Sequence, residues 1–134
     1  MLITRTNSGA TNGTHPTDPP PSSTRPRARA DLAEQPAERI EAEVIDLAGR
    51  LAAGTYELLV LVGELDHRGS WATWGALSCA AWLADTCDME ISTARTQVRV
   101  ARAMRRFPAL DAAMANGDVS YAKARVLASC LTEE

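Results

Sequence analysis

Between Ile40 and Leu65 the apolar residues recur at alternating intervals of four and three: Ile40, Val44, Leu47, Leu51, Gly54, Leu58, Leu61 and Leu65. Such a series is the seam of a long amphipathic helix. If continuous from about Ala37 to Asp66, the helix would run on the order of 45 Å at roughly 1.5 Å per residue. Gly49, Gly54 and Gly63 each weaken it by roughly 1 kcal/mol relative to alanine, which leaves room for a kink or break near Gly54. The flanks carry Glu38, Glu41, Glu43, Asp46, Glu57, Glu64 and Asp66 against only Arg39 and Arg50. The acidic excess behind the formal net charge of -3 is concentrated here.

What surrounds this helix divides into a tail and a helical body. Residues 1 to about 35 are dominated by Thr, Ser, Asn, Gly and Pro, with DPPPSSTRPRARA as the clearest run. A segment of that composition cannot bury enough apolar surface to offset its ordering entropy and reads as a disordered tail. Arg25, Arg27 and Arg29 within it could meet an anionic partner or serve as a solvated linker. The remainder, 36–134, reads as one all-α domain, because a chain of 134 residues with aromatics at only 4% packs through small residues rather than as a sandwich of sheets.

Downstream of the turn at His67-Arg68-Gly69-Ser70, the punctuation marks two helical hairpins in tandem. Ser78 can cap a short helix, CAAWLADTC, which is followed closely by the helix STARTQVRVARAMRRF with Glu90 or Ser92 as its cap. Leu83 and Ala84 face the second helix, Met89 plugs the turn, and Val98 packs back: the outline of a helix-turn-helix. The turn calls for a residue at positive φ, and Asp88 stands where glycine would serve best. Pro108 then opens PALDAAMAN at a position where its missing N–H costs nothing, Gly117 stops it, Val119 plugs the next turn, and Ser120 caps YAKARVLASC. Thr132 reads as the cap of yet another helix, with Glu133 and Glu134 in its first turn, so the domain reads as truncated at its C-terminus.

The stretch from Ser92 to Phe107 holds five arginines and no acid. At 100° per residue, with Arg95 at zero, Arg99, Arg102 and Arg106 fall at roughly 40°, 340° and 20°, one narrow stripe. Ala94, Val98, Val100, Ala101, Met104 and Phe107 occupy the opposite side, so the helix buries one face and presents guanidinium groups from the other. Like charges at this spacing repel, and something must balance them. One candidate is internal, the acids of the long first helix. The other is external, phosphate oxygens, whose geometry the guanidinium fork matches. Arg95, Arg99, Arg102 and Arg106 are the candidate nucleic-acid contacts, with Arg105, Lys123 and Arg125 as secondary ones.

Several classes of function find no support. Cys79, Cys87 and Cys130 are odd in number and lack the spacing of a zinc or redox site, and His15 and His67 lie far from them in sequence. No metal and no cofactor is expected, and the thiols read as reduced in a cytoplasmic protein. No apolar segment follows a basic start as a signal peptide requires. The longest run of large aliphatic residues, Leu58 to Val62, is far below the roughly 20 residues needed to span a bilayer, so no membrane partner is expected. Trp71, Trp74 and Trp82 read as anchors of a small-residue core rather than as a platform for stacking bases.

The long acidic helix ending in ELDHRG, the segment SCAAWLA, the run AR..VRVARA and the pattern FPAL....A.G.VSY.KAR together resemble the actinobacterial domain of unknown function 222, the thirteen-E-twelve repeat family, over roughly residues 38 to 134. Asp88 departs from the pattern, which more often has glycine. The resemblance implies an N-terminal helical region ahead of a His-Asn-His (HNH) endonuclease domain, itself without established activity. This chain holds no histidine cluster with nearby Asn or Asp, no nucleophile elbow and no phosphate loop, so it is expected not to be an enzyme. Two readings follow: a non-catalytic module helping a nuclease-type protein engage DNA, or a protein-interaction or dimerisation module built on the long first helix, with the arginines paired to its acids.

Overall fold

The computed structural model describes residues 29–131. Among these residues every regular element is helical. Most of the segment read as a disordered tail, including Arg25, Arg27 and His15, lies outside the described residues, as do Thr132 and the two acids after it. The described part of that segment forms a short helix, α1 (Arg29–Ala33), in a unit of its own that ends at Gln35.

The second unit begins with α2 (Ala37–Arg68), a helix of 32 residues. It runs without interruption through Gly49 and Gly54, so the break for which Gly54 left room does not occur. The neighbouring turns hold it together: Arg50 reaches back to Asp46 at 3.0 Å and Arg68 to Glu64 at 2.7 Å. Pairs at that spacing stabilise a helix by a few tenths of a kcal/mol each. Gly69, at φ 65°, ends the helix by donating its N–H to the carbonyls of Leu65 and Asp66. A 3-10 turn (Ser70–Trp74) follows, then α3 (Cys79–Thr86), α4 (Ile91–Arg106), α5 (Pro108–Ala115) and α6 (Tyr121–Leu131).

The local signals act as the sequence indicates. Ser78 accepts from the Ala81 N–H at 3.0 Å, and Ser120 from the Lys123 N–H at 3.3 Å. Pro108 occupies the first turn of α5. Asp88 takes φ 51°, the positive value that the turn between α3 and α4 demands, and Gly117 does the same at φ 81° before α6.

Helix α4 lies at the centre and packs against α2, α3, α5 and α6. The core is built of small and medium side chains: Leu59 and Val62 from α2, Cys79, Ala80 and Leu83 from α3, Ala94, Val98, Val100, Ala101 and Met104 from α4, Leu110 and Met114 from α5, Ala124 and Ala128 from α6. At the crossing of α2 on α4 stands Gly63. A Cβ there would lie 3.2 Å from the Arg105 Cδ and 3.3 Å from the Ala101 carbonyl oxygen. The residue that weakens the helix in isolation is the one that lets two helices touch.

Two expectations are overturned here. The face that α2 docks is Leu59, Val62 and Gly63, roughly 90° around the helix from the seam through Ile40 and Leu65. Leu58 and Leu65 pack against the core's edge, whereas Ile40, Val44, Leu47, Leu51 and Leu61 stay exposed. The second correction concerns the tryptophans. Trp71 and Trp82 pack against the core, but Trp74, the last residue before Gly75 turns the chain, is 80% exposed.

Candidate functional site

The amphipathic pattern of α4 turns Ala94, Val98, Val100, Ala101 and Met104 inward and its arginines outward. The side chains of Arg95, Arg99, Arg102 and Arg106 come together along one groove of about 570 Å³ between α3, α4 and α6. Its floor is apolar, with Ala80, Val98, Ala103, Ala128 and Leu131 beneath the guanidinium groups, and no carboxylate of the described residues lines it.

The four arginines are not equivalent. Arg102 grips Asp66 of α2 with both branches of its guanidinium, Nε and Nη2 each lying 2.8 Å from a carboxylate oxygen. Asp66 is well shielded, its side chain only 14% exposed against 63% for Arg102. The hydrogen bond to Asp66 pushes the Arg102 pKa further up from its already high ordinary value. Outside the groove, Arg105 donates to Glu64 of α2 at 2.6 Å. Glu64 also accepts from Arg68, and these two hydrogen bonds, Arg68's first, hold its carboxyl below the usual range. Among the described residues, Arg95, Arg99 and Arg106 form no ion pair. Arg106 instead lies over the Phe107 ring, 5.2 Å from its centroid.

The internal candidate for balancing the arginine stripe therefore accounts for part of it. The acids of the first helix take Arg102 and Arg105, leaving three guanidinium groups of the stripe toward solvent. The sequence places Asp66 and Glu64 among those acids but cannot choose them, since the choice depends on where Gly63 lets the helices cross. Of the secondary residues, Arg105 is engaged with Glu64, whereas Lys123 and Arg125 stand on α6. The Arg125 guanidinium lies 6.0 Å from the centroid of Tyr121. Burial raises the Tyr121 pKa, and the positive charges of Arg125 and Arg99 oppose that rise. A contact that the sequence does not signal joins α2 to α5: the Tyr56 hydroxyl donates to Asp111 at 2.9 Å.

Among the described residues no group of three or more His, Cys, Asp or Glu side chains could hold a metal ion. None of the described helices is long and apolar enough to cross a membrane. Cys79 is buried, and burial pushes its thiol pKa up; Cys87 and Cys130 are exposed.

Comparison with known proteins finds no match among curated proteins and none among solved structures. A family model does match, over residues 27–133, which takes in every described helix after the first two residues of that span. The chain belongs to the family described as domain of unknown function (DUF222).

Proposed function

We propose that this domain is a non-catalytic helical module of an HNH-endonuclease-type, cytoplasmic protein, and that it helps hold DNA by the phosphate backbone. The observation that carries the reading is the groove in which Arg95, Arg99, Arg102 and Arg106 converge with no lining carboxylate among the described residues. Three of these guanidinium groups lack an acidic partner among the described residues, and a row of arginines neutralises charge without reading bases. Arg102 serves as a fixed edge of the site, its orientation set by Asp66. No metal or cofactor is assigned to the domain.

Binding to duplex DNA, followed as a function of salt, tests this. Three phosphate contacts give a slope of log affinity against log salt of roughly -2.7, and Arg95→Ala, Arg99→Ala and Arg106→Ala each flatten it by about one unit. Arg105→Ala, with its partner on α2, leaves the slope unchanged. Absence of binding at low salt, or a slope insensitive to all three substitutions, rules the reading out.

A second reading is favoured by a different observation. The exposed aliphatic residues of α2 suit a protein-interaction or dimerisation module, and the pairs Arg102–Asp66 and Arg105–Glu64 are those in which acids of the first helix balance the arginines internally.

A further inference from the structure

The first four turns of α2 carry large aliphatic side chains that their own domain does not cover. Ile40, Val44, Leu47 and Leu51 are 37, 60, 49 and 64% exposed. They fall within an arc of about 60° on the helix surface. Their spacing of four, three and four is the repeat by which one helix seats its side chains between those of another. The stripe ends before the turns that pack on α4, so a helix laid along it meets no obstruction from Leu59, Val62 or Gly63.

We propose that this stripe joins two copies of the chain, the first helices running antiparallel, with Leu47 against the partner's Val44 and Ile40 against the partner's Leu51. The proposal rests on the self-association form of the second reading. Charge selects a second copy, its direction and its register. Glu43 and Arg50 flank the stripe on the same side, seven residues apart. In the antiparallel arrangement Glu43 meets the partner's Arg50, and by symmetry Arg50 meets the partner's Glu43. Sliding by one heptad sets Arg50 against the partner's Arg50 and Glu43 against the partner's Glu57, which repel. Sliding by two brings Gly54 and the half-buried Leu58 and Leu65 into the seam, giving up aliphatic contact.

A parallel pair gains nothing comparable. Its flanks set Glu43 beside the partner's Ala48 and Arg50 beside the partner's Thr55, and it aligns two helix dipoles unfavourably. Within one chain Arg50 meets Asp46 at 3.0 Å and Glu43 meets Arg39 at 3.7 Å. The Arg50–Asp46 pair is exposed, so exchanging it for a pair across the interface costs little.

Sedimentation equilibrium of the full chain across a range of concentrations tests the proposal. The unsubstituted chain should form a dimer. Leu47→Asp, at an exposed position away from the core, should abolish it while the circular dichroism spectrum stays helical. Arg50→Glu should weaken the dimer roughly tenfold, as two attractive pairs become repulsive, and Arg50→Glu combined with Glu43→Arg should restore it. A chain monomeric at every concentration overturns the proposal and the self-association reading with it, whatever covers the stripe instead. A dimer indifferent to Leu47→Asp overturns the stripe but leaves that reading standing. A dimer that loses affinity with Leu47→Asp, yet is not restored by the charge exchange, overturns the antiparallel register.

Discussion

Arg102 of α4 holds Asp66 of α2 by two parallel hydrogen bonds of 2.8 Å, thirty-six residues apart in sequence. The pair fastens the acidic helix to the arginine helix one turn from the point where Gly63 brings them into contact. Removing Arg102 strands a shielded carboxylate, and Arg102→Ala should cost about 1–2 kcal/mol of stability. Arg102→Ala combined with Asp66→Asn should recover part of that loss. Thermal or urea unfolding of Arg102→Ala, Asp66→Asn and the double variant measures this; losses that simply add would show that the two side chains do not act as a pair.

The glycines of α2 should respond in opposite directions to alanine. Gly49 and Gly54 have nothing within 4 Å of an added Cβ, so Gly49→Ala and Gly54→Ala should each stabilise by roughly 0.5–1 kcal/mol through helix propensity. Gly63→Ala meets the Ala101 carbonyl oxygen at 3.3 Å, which is backbone and yields less readily than the Arg105 side chain. It should destabilise by about 1–3 kcal/mol as α2 is pushed off α4. Midpoints of denaturant unfolding for the three variants suffice to compare them.

Asp88 sits at φ 51°, a conformation that costs an aspartate more than a glycine. Asp88→Gly should therefore stabilise the turn between α3 and α4, by up to about 1 kcal/mol and with no change in helix content. A loss of stability would show that the aspartate side chain makes a local contribution larger than the backbone strain it carries.

Acid should loosen the α2–α4 contact through Glu64. Hydrogen bonds from Arg68 and Arg105 lower its pKa in the folded chain below the ordinary value of 4.5. A carboxyl depressed on folding contributes stability that is fully present above the unfolded value and is lost as pH falls through the folded one. Stability measured between neutral pH and the acid range should fall less steeply for Glu64→Gln than for the unsubstituted chain below about pH 4.5. Identical slopes would remove Glu64 from the account.

Local grammar was legible in the sequence, and long-range geometry was not. Ser78, Ser120, Pro108, Gly117 and Asp88 act through atoms a few residues away, so their identity already carries the reason for the helix boundaries they set. The docked face of α2 depends on which side of the helix finds a complementary surface. The loudest pattern, Ile40 to Leu65, is louder than the pattern that packs, because glycine at 63 contributes no hydropathy to announce its role. The arginine stripe shows the same division. Its periodicity was readable, but the diversion of Arg102 to Asp66 follows from the crossing and could not be chosen among seven acids of the first helix.

The alanines between the helices reverse the usual direction of harm. In most cores the injurious lesion deletes volume; here Ala94, Ala124 and Ala128 are fully enclosed, and shortening a side chain there removes almost nothing. Enlargement is the vulnerability. Ala94→Leu or Ala124→Leu would wedge α4 away from its neighbours, with a cost of about 1–3 kcal/mol or more read directly from the shift in unfolding midpoint. A lineage carrying this domain would thus feel constraint at its smallest side chains as well as at Leu59 and Leu83, and a screen confined to alanine replacements would register only the latter.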